Sequence, residues 1–571
     1  MISPNPKFGA VSALLFFATS PLIAQTVGGG FETLYQWDGA YKSGLFGYAT
    51  DHAGDVNNDG FSDLIIGGYR NSPGGITDAG SAFVYSGADG SLIHQWDGTA
   101  ILDTLGNSVS GAGDINQDGF DDVIVGAYFA SPGGRAQAGM AFVYSGLDGS
   151  TLFSWEGANP NDRLGVDVSG AGDVNADGYP DVLIGLGWSS PGGVLYAGAA
   201  TVYSGKDGSI LHHWTGGTGS DYFGFALSDA GDVNADGYDD VAISATGDDP
   251  PGLAFAGSTY VFSGKDGSQL YKWQGIASGD YFGSAVSGAG DVNADGFDDV
   301  VVGAKFSSPG GLAFAGSAFV FSGQDGTQLY EWNGQASDEL GYSVSEAGDV
   351  NQDGYADVIV GAPEANHVGT GNTGAAMVYS GFDGSVIQRW VGGGAHDKYG
   401  GNVSGTGDVN QNGYADVVVS AWGTDPNGIT AAGSVYAYGF NPFITTSSNE
   451  LSVSIGGQVD IQLDFPDDAS GYEFKLLASA SGTGPTLYGV EIPLSNDNLV
   501  QRTFAGDYPG IGGSNPQGIL DSIGQATGFL SIGAGNWSSL VGNTYYLAAI
   551  ASPPGGLPEF SSVAVTLTII P

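Results

Sequence analysis

The sequence predicts an all-β chain, a seven-bladed β-propeller followed by a C-terminal β-sandwich domain. Three observations carry this prediction. One acidic loop occurs seven times at a nearly constant interval, four short strand-like segments accompany each copy, and the last copy lacks one of its four segments. Repetition of one small unit predicts a repeat architecture, so the repeat is interpreted before any single residue.

The acidic loop is the most regular part of each repeat. Its first copy is DVNNDGFSD at 55–63, with Asp or Asn at positions 1, 3 and 5, Gly at position 6 and Asp at position 9. Successive copies are separated by 59, 59, 59, 59, 58 and 59 residues. The loops begin at Asp55, Asp114, Asp173, Asp232, Asp291, Asp349 and Asp408.

The segments around the loop indicate four strands per repeat. In the first repeat they are FGYAT at 46–50, DLIIGGY at 63–69, SAFVYSG at 81–87 and LIHQWDG at 92–98. Gly, Pro and Asp-Gly turns separate them, and an Asp-Gly pair between alternating strands favours a hairpin. Four antiparallel strands in each of seven repeats predict one propeller blade per repeat.

The two ends of the repeat region predict how the ring closes. A lone Trp-containing segment, TLYQWDG at 33–39, precedes the first loop, whereas the last repeat ends at GSVYAYG, 433–439, without one. Pairing of these two segments would complete the seventh blade and remove two free strand edges. An open solenoid is the alternative, but it leaves the missing strand unexplained.

The remaining chain predicts three further segments. Residues 1–24 have the character of a secretory signal peptide, with Lys7 before an apolar run at 9–24. The propeller is predicted over 31–440, a polar linker over 441–450 and a β-sandwich accessory domain over 451–571. No later segment is long and apolar enough for a membrane span, so a secreted or cell-surface location is expected.

The charge of the chain restricts its partners. Lys and Arg number 13 against 61 Asp and Glu, which gives a formal net charge of −48. Such a chain is a poor partner for nucleic acid or an anionic membrane, and it favours cations. The absence of Cys excludes disulfides and thiolate metal sites.

Side-chain oxygens that alternate around a Gly are the ligands that a hard cation such as Ca²⁺ requires. We therefore predict up to seven structural Ca²⁺ ions, each held by side chains at positions 1, 3, 5 and 9 and by the backbone carbonyl at position 7, whose aromatic ring is expected to enter the core. An EF-hand is excluded because position 12 is β-branched, as at Ile66, where an EF-hand has Glu. A metal-free Asx turn is the alternative for one loop, but seven such loops would place carboxylates against one another without compensation. The predicted ligands are Asp55, Asn57, Asp59, Phe61 and Asp63; Asp114, Asn116, Asp118, Phe120 and Asp122; Asp173, Asn175, Asp177, Tyr179 and Asp181; Asp232, Asn234, Asp236, Tyr238 and Asp240; Asp291, Asn293, Asp295, Phe297 and Asp299; Asp349, Asn351, Asp353, Tyr355 and Asp357; and Asp408, Asn410, Asn412, Tyr414 and Asp416.

The repeat resembles the FG-GAP repeats of the integrin α-subunit propeller. The "FG" element stands at Phe46-Gly47, Phe223-Gly224 and Phe282-Gly283, and the "GAP" element at Gly361-Ala362-Pro363. The resemblance implies a seven-bladed propeller with Ca²⁺ in the loop between the first two strands of each blade. It implies adhesion at most, since the even spacing leaves no room for an inserted ligand-binding domain.

The functional expectation is an adhesion or binding module for a protein or glycan ligand. An extracellular polysaccharide lyase or hydrolase with its site at the propeller axis is the alternative, although no catalytic motif stands out. A structural surface-layer or matrix component is a third possibility. The loops at 247–257 and 363–374 depart from the Pro-Gly pattern of the other repeats, so they are candidate ligand contacts. The seventh calcium loop is expected to fill last, because Asn412 replaces an Asp.

Overall fold

A computed structural model describes residues 30–366 and 371–441 and, between 444 and 570, the backbone of a further set of strands. The predicted signal peptide, 1–24, lies outside the described residues, as does His367 in the divergent loop 363–374. Within the described part of the chain, no helix has the length and apolar character needed to cross a bilayer. Regular helix there consists of short 3₁₀ turns at Pro73–Gly75, Pro132–Gly134, Pro191–Gly193, Pro309–Gly311 and Pro426–Gly428.

Residues 30–441 form seven four-stranded antiparallel sheets, and each sheet is one blade. In chain order the strands are β1 (Gly30–Asp38), β2 (Ala49–Gly54), β3 (Asp63–Gly68), β4 (Ser81–Tyr85), β5 (Leu92–Asp97), β6 (Val109–Gly113), β7 (Asp122–Ala127), β8 (Met140–Tyr144), β9 (Thr151–Glu156), β10 (Val168–Gly170), β11 (Val182–Gly185), β12 (Ala199–Tyr203), β13 (Ile210–Thr215), β14 (Phe223–Gly231), β15 (Asp240–Ala245), β16 (Ser258–Phe262), β17 (Gln269–Gln274), β18 (Ala285–Gly290), β19 (Asp299–Ala304), β20 (Ser317–Phe321), β21 (Gln328–Asn333), β22 (Ser343–Gly348), β23 (Asp357–Ala362), β24 (Ala375–Tyr379), β25 (Val386–Val391), β26 (Tyr399–Gly407), β27 (Asp416–Ala421) and β28 (Ser434–Asn441). The predicted all-β, seven-bladed propeller is therefore confirmed.

The blades form a closed ring. The first strands of the blades (β2, β6, β10, β14, β18, β22 and β26) contact one another in that order, and β26 contacts β2. The seventh sheet has the order β1-β28-β27-β26, so the N-terminal strand is its outermost member. Thr33 pairs with Tyr438 and Trp37 with Val435, which confirms the predicted pairing of 33–39 with 433–439.

Burial follows the position of a strand within its blade. All six residues of β3 are buried, because neighbouring blades pack on both of its faces. Ile65 of the first blade and Val125 of the second lie in one apolar cluster. Gly67 allows the close approach: a Cβ there would lie 2.1 Å from the carbonyl oxygen of Gly106 in the second blade. The outer strand β5 instead alternates between exposed and half-buried residues.

The recurring Trp links neighbouring blades at six of the seven junctions. The Nε1–H of Trp37, in the seventh blade, donates to the carbonyl oxygen of Gly90 in the Asp-Gly turn of the first blade at 2.9 Å. Five further Trp side chains repeat this bond, and they are Trp96, Trp155, Trp214, Trp273 and Trp332. His94 adds a second contact of this kind, since its Nε2 lies 2.6 Å from the carbonyl oxygen of Gly146. The Trp strands are therefore connectors between blades as well as blade edges.

Substitution of one linking Trp should show the strength of this contact. Trp214→Phe removes the 3.0 Å bond to Gly267 and should lower the free energy of unfolding by about 1 kcal/mol relative to its control, a typical net value for one hydrogen bond. The matched control is Trp390→Phe. Trp214 and Trp390 both pack 4.7 Å from an aromatic ring, but Trp390 has no hydrogen-bond partner among the described residues. Equal losses in denaturant unfolding of the two variants would contradict the inter-blade role.

The region after 441 contains the predicted type of secondary structure. Two sheets have the orders β29-β31-β37-β35 and β30-β40-β38-β32-β36, β39 pairs with β38, and β33 pairs with β34. The packing of these strands into a β-sandwich remains a prediction, as do the proposed linker and domain boundaries. The strands are β29 (Ile444–Thr446), β30 (Glu450–Ser452), β31 (Gly457–Asp464), β32 (Glu473–Ser479), β33 (Pro485–Leu487), β34 (Glu491–Pro493), β35 (Gly512–Ser514), β36 (Gln517–Ile519), β37 (Gln525–Ile532), β38 (Thr544–Ser552), β39 (Phe560–Ser561) and β40 (Val565–Ile570).

Candidate metal loops

The seven acidic loops all lie at one end of the ring. Each joins the first strand of its blade to the second, and position 9 stands at or next to the start of that second strand, as Asp63 does in β3. Gly60, at position 6, has a φ of 90°, a backbone angle that side chains resist. The remaining six position-6 residues are also Gly with φ between 85° and 91°. The sequence pattern thus produces one loop conformation seven times.

The carboxylate at position 1 organises its own loop. Asp59 N–H donates to Asp55 Oδ1 at 2.9 Å, and Gly60 N–H donates to Asp55 Oδ2 at 2.8 Å. The same two bonds occur in the other six loops. Position 1 therefore fixes the turn.

The carboxylate at position 9 is the buried member of each loop. Asp63 Oδ1 accepts from Gly87 N–H and Oδ2 accepts from Val56 N–H, both at 2.9 Å. Burial raises the pKa of Asp63 to about 7; the carboxylates of Asp59 and Asp55 add to the rise, and the bond from Gly87 opposes it. The pKa of Asp63 is raised because no positive charge near this buried carboxylate compensates its own charge. All seven position-9 residues are 0% exposed, namely Asp63, Asp122, Asp181, Asp240, Asp299, Asp357 and Asp416.

Position 3 contributes side-chain oxygens without partners. In the first and fifth loops, Asn57 Oδ1 and Asn293 Oδ1 are buried and have no hydrogen-bond partner, whereas Asn351 Oδ1 and Asn410 Oδ1 accept from the position-5 N–H of their own loops. In the third and fourth loops the Asn amide instead donates to the position-9 carboxylate at 3.0 Å. Because a buried polar atom without a partner is costly, these two oxygens are available to an electropositive partner.

Positions 5 and 7 lie at the surface. Asp59 is exposed, and its Oδ1 accepts from Phe61 N–H at 2.9 Å. Across residues 30–366 and 371–441, no three acidic or histidine side chains converge as a metal-ligand set, since much of the carboxylate capacity serves loop N–H groups. The expectation that the position-7 rings enter the core is wrong: all seven are half-buried. They cover the surface beside the loop, as Tyr179 does under Lys206, whose Nζ lies 4.8 Å from its ring centre.

Contacts between neighbouring loops were not anticipated. Asp121, at position 8 of the second loop, accepts from Asp55 N–H at 2.7 Å. Gln411, at position 4 of the seventh loop, donates to the carbonyl oxygen of Gly60 at 2.7 Å, so the last loop is tied to the first. Position 4 has a positive φ in all seven loops. Recurrent Asp or Gln at these two positions was the available sequence signal, but only ring closure reveals their partners.

Four segments of the chain match the FG-GAP repeat family model, at 105–144, 226–262, 282–321 and 341–379. Each match begins at or near the first strand of a blade and ends with the third, so it includes the acidic loop. The matched segments belong to the second, fourth, fifth and sixth blades. The remaining blades share the four-stranded architecture.

Integrin α-subunits are among the similar proteins. Integrin alpha-5 of Xenopus laevis is 31% identical over 173 residues, which cover 28% of this chain and 16% of the relative. Integrin alpha-V of Gallus gallus is 26% identical over 302 residues, which cover 49% of this chain and 27% of the relative. Integrin alpha pat-2 of Caenorhabditis briggsae is 31% identical over 228 residues, which cover 35% of this chain and 18% of the relative. The matched part thus spans less than a third of the length of these relatives. Four blades of the seven-bladed β-propeller therefore carry FG-GAP repeats, and the chain is similar to integrin α-subunits over part of its length.

Proposed function

We propose that the protein is a secreted binding module, in which a calcium-stabilised propeller presents a surface to an extracellular protein or glycan. The observation that carries the proposal is the closed ring of seven equivalent acidic loops, in a chain similar to integrin α-subunits. Equivalent sites around a ring favour a structural role for the ions, because no single loop is distinguished as a reaction centre. The similarity to integrin α-subunits supports binding as the function of the propeller.

Calcium fits the donor set of the loops. Positions 1, 3, 5 and 9 and the position-7 carbonyl offer only oxygen atoms, which Ca²⁺ prefers. A cation would compensate the buried Asp63 carboxylate and supply a partner for the orphaned oxygens of Asn57 and Asn293. When bound, the ion would supply positive charge and rigidity to the loop. It would also reinforce the loop-to-loop contacts, such as the one from Gln411 to Gly60.

A binding screen tests the proposed function. Arrays of glycans and extracellular proteins are probed with the purified protein in Ca²⁺ and again in EDTA. The Ca²⁺ concentration is about 1 mM, at which even weak extracellular calcium sites bind the ion. We expect at least one ligand to bind in Ca²⁺ and to be lost in EDTA. Absence of any ligand in Ca²⁺, with the protein folded, would contradict a binding role, whereas turnover of a glycan would support the enzymatic alternative.

The seventh loop offers a separate test of the calcium assignment. Asn412→Asp gives this loop three carboxylates, at positions 1, 5 and 9, as in the other six loops. It should strengthen the weakest calcium-binding step by roughly tenfold, since the number of charged ligands tunes calcium affinity. Asn412 Nδ2 also donates to the carbonyl oxygen of Phe440 at 2.8 Å. Loss of that bond should lower the melting temperature in EDTA. Calcium titration calorimetry and thermal melts measure the two effects.

The control for this substitution is Asn427→Asp in the 3₁₀ turn Pro426–Gly428, which adds the same charge to the same blade outside the calcium loop. It should leave every binding step unchanged. An unaltered weakest step in Asn412→Asp would show that the seventh loop is not the weakest site. Strengthening by both variants would indicate a general charge effect.

A further inference from the structure

The strongest departure from repeat symmetry lies at the end of the ring opposite the acidic loops. There the first strands begin and the second strands end, around the mouth of the axial channel. Six residues beyond loop position 9, where the buried strand has just ended, the seven repeats carry six different residue types. These are Tyr69, Tyr128, Gly187, Thr246, Lys305, Pro363 and Trp422. A site for one ligand must break a seven-fold repeat, and this mouth does so.

A second set of residues at the same end of the propeller has side chains although its backbone angles are strained. Ten residues before each loop, every repeat has a non-Gly residue with φ between 52° and 58°. Gly would adopt this angle without strain, so the side chains are present despite a conformational penalty. The residues again differ, and they are Leu45, Thr104, Arg163, Tyr222, Tyr281, Glu339 and Lys398.

Arg163 is held between two aromatic rings. Its Cζ lies 4.8 Å from the ring centre of Phe129 and 4.5 Å from that of Trp188. Its Nε is buried without a hydrogen-bond partner, and its terminal nitrogen reaches only Gln137 Oε1 at 3.4 Å. It forms no ion pair within the described residues. This half-buried guanidinium has no carboxylate partner, so its charge is available to an anion.

Lys305 is the second uncompensated cation of the mouth. Its Nζ lies 4.6 Å from the ring centre of Tyr342, and within the described chain it has no ion-pair partner. The acidic group with the largest effect on it, Glu339, does not reach ion-pair distance. Two other cations on this side differ, since Arg70 pairs with Asp78 and Lys398 with Glu364. Lys42 and Arg389 also form no ion pair in the described part of the chain, but neither of them lies in the cavity lining, where Lys305 does.

Below the mouth, the channel opens into a cavity of about 350 Å³. Its lining includes Trp188, Tyr128 and Lys305, the amide and hydroxyl groups of Asn107, Ser284 and Asn402, and the carboxylates of Asp51 and Asp167, whereas Arg163 lies outside it against Trp188. A concave site with aromatic faces, convergent polar groups and cations suits a small polar ligand better than a flat protein surface. The volume lies at the low end of ligand pockets and suits one or two sugar rings.

We infer that the mouth binds a terminal acidic sugar, a carboxylate-bearing residue at the end of an otherwise uncharged glycan. Lys305 in the cavity lining receives the carboxylate, and Arg163, which packs on Trp188, adds positive charge at the same end of the ring. The aromatic rings pack against the apolar face of the sugar, and the amides, hydroxyls and carboxylates of the channel bind its hydroxyl groups. The net charge of the chain opposes a long polyanion, so a single terminal charge is the fitting ligand. This inference rests on the proposed binding function and specifies its ligand class.

Paired probes test the inference. The full chain in Ca²⁺ is titrated with sialyllactose, glucuronyl-xylotriose and digalacturonate, each beside a neutral counterpart: lactose, xylotetraose and the methyl ester of digalacturonate. At least one acidic probe should bind, and its neutral counterpart should bind at least about tenfold more weakly, as expected for loss of a charge-assisted contact. Failure of all three acidic probes, or equal binding of an acid and its neutral counterpart, would overturn the inference.

Variants locate the site. R163Q and K305Q should each weaken the acidic probe at least about tenfold and leave any binding of the neutral probe unchanged. R135Q is the control, because Arg135 is paired with Glu156 of the outer strand β9 and does not line the cavity. Melting temperatures report folding, and K305Q carries the test if R163Q fails to fold. If K305Q and a folded R163Q both bind the acidic probe with unchanged affinity, the proposed location of the site is wrong. If the screen finds a protein ligand whose binding these variants do not alter, the inference fails while the proposed function stands; if nothing binds, both fail.

Discussion

Removal of calcium should lower the melting temperature of the protein by about 10 °C or more. A ligand that binds only the folded state contributes about 2.7 kcal/mol per site at a hundredfold excess over its dissociation constant, and several sites add. Without the ion, the first six loops retain a buried position-9 carboxylate next to the acidic groups at positions 1 and 5, as Asp63 lies near Asp55 and Asp59. Differential scanning calorimetry in Ca²⁺ and in EDTA measures the effect.

A single loop can be assigned by substitution. Asp118→Asn removes the position-5 carboxylate of the second loop, whereas Asp148→Asn removes an exposed carboxylate from the Asp-Gly turn of the same blade. The first variant should weaken one calcium step and lower the melting temperature in Ca²⁺ but not in EDTA. The second should alter neither. Identical melts of the parent protein in Ca²⁺ and EDTA would exclude structural calcium.

The repeat made most of the propeller predictable. Seven copies of the loop at a nearly constant interval determined the number of blades, and the missing Trp strand after 433–439 located the closure at β1. The buried second strand was evident because DLIIGG has no polar alternation after its Asp, and β3 is buried throughout. These features depend on local pattern and on counting, both of which one sequence supplies.

Features that depend on contacts between blades were not predictable. The bond from Trp37 to Gly90 joins residues 53 positions apart, and the one from Gln411 to Gly60 joins residues 351 apart. The position-7 rings were assigned to the core from their apolar character, but a loop at the end of the ring has no neighbouring blade above it. The cations of the mouth were missed because Arg163 and Lys305 occupy different positions of different repeats, and only the closed ring places both around one channel.

Removal of β1 should destabilise the propeller more than any point substitution. A chain that starts at residue 40 lacks the outer strand of the seventh blade, including Trp37, which is 8% exposed, and Phe31, which packs 5.0 Å from Trp390. Loss of a packed Trp side chain alone costs about 3–5 kcal/mol. The ladder between β1 and β28 is lost as well, so we expect a decrease of more than about 5 kcal/mol in the free energy of unfolding.

The shortened chain should also self-associate. Without β1, the backbone groups of β28 form a free edge that can pair with another chain. The control is a chain that starts at residue 30 and retains β1, which should remain monomeric and melt like the full chain. Size-exclusion chromatography with light scattering and thermal melts compare the two, and a peptide of residues 30–39 added in trans should restore part of the lost stability by occupying the edge. If the chain from residue 40 is monomeric and melts at the same temperature as its control, the pairing of β1 with β28 does not stabilise the closed ring.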